Sequence, residues 1–161
     1  MLDVFVVRME VPAEANIVLG QAHFIKTIED LYEAIANSAP HAEFGLAFNE
    51  SSGECLIRTE GNDQVLRETA TRNAQALAAG HAFVILIKNA YPISILNAIR
   101  NVPEVCSIFC ATANPLEVVI ARTEQGCGVL GVIDGSSPKG VEADSDIAWR
   151  YKLLRHIGYK R

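Results

Sequence analysis

The sequence has no long hydrophobic run. Its longest uninterrupted apolar stretch is Ala82 to Ile87, far short of the roughly 20 residues that a membrane helix needs. A basic leader is missing too: Asp3 stands in "MLDVFVVRME" where a signal peptide carries positive charge, and no small-residue cleavage site follows. A cytoplasmic protein without a membrane partner is expected. C-x-x-C does not occur, and Cys55, Cys106, Cys110 and Cys127 are too scattered for a zinc site or a disulfide framework. They are expected to be buried small hydrophobes, with Cys106 and Cys110 on one face of a strand. Repeats, low-complexity tracts and linkers are absent as well.

An excess of positive charge is also lacking. The formal net charge is −5, so nothing draws the chain to a nucleic-acid backbone at long range. The basic tail "RYKLLRHIGYKR" follows the acidic "EADSD". Acid then leads and base trails along one helix, which complements its dipole.

What is present is a globular composition. The chain has 161 residues, half of them hydrophobic, enough to bury a core without metals or cross-links. Strand patterns occur at Asp3–Met9, Asn16–Leu19, Glu43–Phe48, Cys55–Arg58, Ala82–Ile87, Val105–Ala111, Glu117–Arg122 and Val129–Ile133. Helical periodicity occurs at Ile28–Ala36, Gln64–Ala79, Ile93–Arg100 and Ile147–Ile157. Thr27 with Asp30 resembles a capping box, Asn62 or Asp63 caps the second helix, Gly80 closes it, and Pro92 suits a first turn. "FVILI" and "VVIA" barely alternate, as in strands covered on both faces. Hairpin-like pairs at Phe44–Arg58 and Glu117–Ile133 argue against a purely parallel arrangement. The reading is a single compact α/β domain over residues 1–161, with a mixed, largely buried β-sheet covered by helices.

Two glycine-rich stretches invite a phosphate reading. "GCGVLG" (Gly126, Gly128, Gly131) spells G-x-G-x-x-G, but the chemistry of that motif requires a helix N-terminus after it. A strand follows here, and a hairpin turn accounts for the glycines. "DGSSPKG" lacks G-K-[S/T], yet it is a polar loop at a strand end, where α/β folds place ligands. Asp134 at its head could ligate Mg²⁺ or touch a ribose, or be a turn-forming Asp-Gly.

"GQAHFIKTIED" lies between a strand and a helix. A helix starting near Thr27 offers free N–H groups and partial positive charge. Lys26 adds a full charge, and His23 adds a ring nitrogen able to carry a phosphoryl group. An ordinary junction with a solvated Lys26 fits the same residues. His81, in "AAGHAFVILI", stands at the mouth of the most apolar strand, to line a pocket or to make a structural bond. Thr112 and Asn114 end another strand in "FCATANPLEV" and could read a purine edge or a ribose hydroxyl, or form an Asn-Pro turn.

At "GQAHFIKTIEDLYEA", "AGHAFVI", "YPISILNAIRNVPEVCSIFCATANPLEV", "GVLGVIDGSSPKGVE" and "LLRHIGYK", in order from about Asn16 to Lys160, the chain resembles the adenosine-specific kinase family. The resemblance implies a compact α/β domain, usually a homo-oligomer such as a trimer. It implies adenosine and AMP as ligands and a histidine that carries a stable phosphoryl group. His23 and His81 both fall in matching motifs, and His23, with Lys26 close by, is the preferred nucleophile. Thr27, His81, Thr112, Asn114, Asp134 and Lys139 are then expected around nucleoside and phosphate, with Mg²⁺ at Asp134 and an unidentified phosphoryl donor. The alternative is a module that binds or senses adenosine or AMP without catalysis. Two positions depart from the family pattern: Cys127 where arginine is expected, and Asn49 where cysteine is expected. If that arginine would touch phosphate, Lys139 could take over its role here.

Overall fold

The computed structural model describes residues 1–161. Eight strands and four helices follow one another: β1 (Asp3–Arg8), β2 (Asn16–Ala22), α1 (Thr27–Ser38), β3 (Glu43–Asn49), β4 (Ile57–Gly61), α2 (Gln64–Leu77), β5 (Ala82–Lys88), α3 (Pro92–Arg100), β6 (Val105–Thr112), β7 (Leu116–Arg122), β8 (Cys127–Asp134) and α4 (Asp144–His156). The α/β class holds. The strands divide into two sheets, of order β4-β3-β5-β2-β6 and β1-β7-β8, and every ladder is antiparallel. The apolar runs with the hairpin-like pairs suggested one buried sheet of mixed direction. Helices α1 and α3 carry the chain between strands of the same direction, β2 to β3 and β5 to β6, but β5 lies between the first two and β2 between the second two, so no parallel neighbours form.

The five-stranded sheet is the centre. Phe83, Ile85 and Ile87 of β5 point with Phe44, Leu46 and Phe48 of β3 toward α1 and α3, which close that face with Leu31, Ile35, Ile95 and Ile99. The alternate residues Val84 and Leu86 point the other way, against Leu66, Ala70 and Leu77 of α2 and Leu116, Val118 and Ile120 of β7. β5 is therefore apolar on both faces because both are covered. Each fully buried Leu, Ile or Phe contributes about 1.5–3 kcal/mol. Helix α2 lies close to β3 at Gly45, where an added Cβ would meet Arg67 N at 2.1 Å.

β7 differs from the expectation of a strand covered on both sides. Its burial alternates, with Val118 and Ile120 inward and Val119 and Ala121 only half-buried. The outer face of this sheet exposes Val4, Val6, Leu130 and Ile133. Helix α4 has acid at its start and base at its end as expected, yet none of its residues is buried.

The helix ends follow their sequence in part. Asp63 caps α2 by accepting from Leu66 N at 2.8 Å, and Pro92 opens α3. The second helix closes at Ala78, which takes a left-handed φ of 50°, two residues before the expected Gly80. The capping box at α1 does not form. Lys26 is the N-cap residue without a side-chain cap bond, and Thr27 lies inside the first turn. The cysteines also depart from expectation: Cys55 and Cys106 are exposed, and Cys110 and Cys127 are half-buried. Cys106 belongs to the edge strand β6 and Cys55 sits in the β3–β4 turn with φ 51°, so no packed layer covers either, whereas Cys110 and Cys127 lean against the core shared by α2 and β7.

Candidate functional site

Strand β2 delivers His23 to one end of the central sheet. The His23 main-chain N–H donates to the Glu104 carbonyl at 2.7 Å, just before β6 begins. One residue earlier, Ala22 N donates to the His81 carbonyl at 3.0 Å. The two histidines that the sequence singled out therefore share a sheet end. His23 is exposed. His81 is half-buried with φ 61°, and its ring stacks on Phe48 with centroids 5.5 Å apart. The His81 main-chain N–H donates to the Asn49 carbonyl at 2.7 Å.

Lys26 is not free beside His23. Its ammonium donates to Asp30 Oδ2 and to Glu104 Oε1 at 2.8 Å. Hydrogen bonds to Asp30 first and Glu104 second hold the lysine above its usual range, and the Lys26 bond holds Asp30 below the usual carboxylate range. Nor are the first-turn amides available to an anion: Thr27 N, Ile28 N and Glu29 N already donate to Phe24 O, Ile25 O and Lys26 O. Thr27 is fully buried, and its Oγ1 has no partner. Sequence reasoning gave Glu104 no role. It lies 78 residues from Lys26, and its only local sign was a carboxylate wedged between Pro103 and an apolar strand.

The second group of expected residues assembles elsewhere. Asp134 Oδ1 accepts from Thr112 Oγ1 at 2.7 Å and from Asn114 Nδ2 at 3.1 Å. Gly135, with φ 63°, lets the chain turn against Asn114, whose Nδ2 would lie 3.0 Å from an added Cβ. Lys139 is exposed on the following loop. This cluster sits at the far end of β6 from Glu104, and eight residues of strand at about 3.3 Å each put roughly 20 Å or more between them. Within one chain the two clusters do not face one ligand.

Asn49 and Cys127 line the same cavity of about 620 Å³, between the β3–β4 turn, the end of α2 and the β7–β8 hairpin. Asn49 Nδ2 donates to Ala74 O at 2.9 Å and Ala79 O at 3.0 Å, so it satisfies carbonyls at the end of α2. A single thiol donor could not make both bonds. Lys139 is not among the residues lining that cavity.

The family model described as "Adenosine specific kinase" matches residues 7–160. The chain belongs to the adenosine-specific kinase family. The crystal structure of the PH1918 protein from Pyrococcus horikoshii OT3 superposes with a TM-score of 0.96 at 42% identity, covering 100% of this chain and 99% of that one. No curated protein matches the chain. Membership supports an adenosine-related function. No helix is long and apolar enough to cross a membrane.

Proposed function

We propose that this member of the adenosine-specific kinase family binds adenosine or AMP and transfers a phosphoryl group through His23. The observation that carries the reading is the sheet end, where β2 presents an exposed His23 next to His81. A neutral ring nitrogen of His23 attacks the donor's phosphorus, the N–P bond forms, and the bond to the donor's leaving oxygen breaks. The adenosine hydroxyl then attacks the phosphorus, its proton passes to solvent, the N–P bond breaks, and His23 is released as the neutral imidazole. Such transfer depends mainly on positioning and on neutralising the phosphoryl oxygens.

Thr112, Asn114 and Asp134 would hold the nucleoside, with Lys139 on the adjacent loop. Because they lie at the far end of β6, we assign them to a site completed by a second copy of the chain, in a homo-oligomer such as a trimer. The exposed apolar residues on the outer face of β1-β7-β8 and along α4 offer the surface for that assembly. Mg²⁺, if it takes part, would meet Asp134 through Oδ2, because Oδ1 accepts from Thr112 and Asn114.

One observation favours a second reading, a cytoplasmic adenosine or AMP sensor without catalysis. Lys26 is held by two carboxylates and three first-turn amides are occupied, which leaves fewer groups to stabilise a transferring phosphoryl. The deciding assay follows AMP formed from adenosine over a panel of donors (MgATP, GTP, pyrophosphate), with His23→Ala alongside. Multiple turnovers lost in the variant support transfer. AMP never exceeding the protein present supports the sensor.

A further inference from the structure

The central sheet has a second end, opposite the one that carries His23. There the β1–β2, α1–β3, β5–α3 and β6–β7 connections surround a cavity of about 1020 Å³, large enough for a small-molecule ligand. Val11, Pro12, Ala39 and Ala90 supply apolar surface to it. Asn16, Ser38, His41, Asn89, Tyr91 and Ser94 supply polar groups. These polar side chains make no hydrogen bond within the chain, in contrast to Asn49 in the smaller cavity, whose amide already donates to two carbonyls. Glu14 and Asn89, both in the wall, take left-handed φ values of 64° and 59°. Such backbone strain outside glycine gathers at ligand sites. Tyr91 is the N-cap residue of α3 without a side-chain cap bond, and it is 65% exposed. Fold stability requires none of these groups to converge on one cavity.

We propose that this cleft binds the nucleoside part of the ligand, the adenine ring and its ribose, and leaves a phosphate outside. No lysine or arginine lines it, and Glu14 adds a carboxylate, so a phosphate finds no charged donor there. A purine edge offers donors and acceptors side by side, and the amides of Asn16 and Asn89 can match both. The Tyr91 ring offers a face on which the base stacks, and the hydroxyls of Ser38 and Ser94 suit a ribose. Ala113 also lies in the wall, between Thr112 and Asn114. The cleft therefore borders the cluster at Asp134 and gives its nucleoside-holding groups a pocket for the base. β2 runs from Asn16 to Ala22, so at about 3.3 Å per residue the cleft lies roughly 20 Å from His23. A nucleoside bound in it meets the His23 of a second copy, not that of its own chain. That the base is adenine rests on the function proposed above; the preference for an uncharged, planar ligand rests on the lining.

The test measures binding of radiolabelled adenosine and AMP to the full-length protein by equilibrium dialysis, without a phosphoryl donor. AMP should bind no more tightly than adenosine. Tyr91→Ala should weaken adenosine at least about tenfold. Asn89→Gly keeps a residue suited to the left-handed φ and removes the amide, and it should weaken adenosine by about as much. Gln75→Ala, an exposed change in the 620 Å³ cavity, should leave binding as it is. Circular dichroism checks that each variant folds. The proposal is overturned if Tyr91→Ala and Asn89→Gly both bind adenosine as the wild type does, or if Gln75→Ala alone loses it. AMP binding at least about tenfold tighter than adenosine also overturns it, because a phosphate site would then hold the ligand. AMP formation is measured separately. Turnover together with undisturbed binding in both cleft variants removes the cleft and leaves the proposed function. Binding that the cleft variants weaken, without turnover in the wild type, removes the transfer and leaves the cleft. Absence of adenosine binding in the wild type overturns both.

Discussion

The main-chain N–H of His23 donates to the carbonyl of Glu104 at 2.7 Å, so the sheet end holds residue 23 in place without using its side chain. Replacing His23 by alanine should therefore leave the fold intact, with stability changed by no more than about 0.5 kcal/mol, as for other exposed positions. The same variant should lose all acid-labile phosphate after incubation with a donor. Circular dichroism and phosphate release at low pH read the two effects. Phosphate retained in His23→Ala would transfer the nucleophile's role to His81.

The separation of the two clusters makes a prediction about assembly. If Asp134 of one copy serves His23 of another, His23→Ala and Asp134→Asn should each cut AMP formation by at least about tenfold. Unfolding and refolding the two variants together should restore part of it, since some mixed sites contain both native residues. Mixtures no more active than their components would place both functions within one chain or remove Asp134 from the site.

The pH dependence of stability should show the Asp30–Lys26 pair. Asp30 is shifted down from 3.8, first by its hydrogen bond to Lys26. Its contribution is complete above that value and is lost as pH falls through the lower, folded one. Lys26 is shifted up from 10.5, so its contribution is complete below 10.5 and disappears only at still higher pH. Both side chains are partly solvated, which keeps the effect small. Melting temperature should be flat in this respect from about pH 5 to 10 and fall on the acid side. Asp30→Asn should make that acid limb shallower; an unchanged limb would show that other carboxylates account for it.

Elements were legible in the sequence because local periodicity and end signals determine them. The run Ala82–Ile87 marks a strand with both faces covered, and the cap of α2 is narrowed to Asn62 or Asp63, of which Asp63 serves. The division into two sheets was not legible: whether Val119 faces a core or a surface depends on what lies over β7. Likewise, Cys106 has the hydrophobicity of a buried residue and sits on an edge. The site followed the same rule. His23, Lys26 and Thr27 are neighbours in the chain, and Thr112, Asn114 and Asp134 meet through two adjacent strand ends. Glu104 was missed because its partner Lys26 is close in space and remote in sequence.

Helix α4 carries the only tryptophan of the chain, Trp149, which is 64% exposed in the single chain. It shares an unburied helix with Ile147 and Tyr151, and Val4, Val6 and Leu130 lie uncovered on the outer sheet face. Apolar surface on this scale is stabilised by covering it, at about 25 cal/mol per Å². In a homo-oligomer built on these surfaces, Trp149 should emit at the shorter wavelengths of a buried indole. Dilution should shift its emission to the red in parallel with a fall in mass measured by light scattering. A charge introduced by Leu130→Glu should move both transitions to higher protein concentration without unfolding the chain, because Leu130 belongs to neither core. If Trp149 is solvent-like at every concentration while the mass is that of an oligomer, α4 lies outside the interface. If the mass is that of one chain throughout, the two clusters act separately, and the nucleoside must be bound at the His23 end alone.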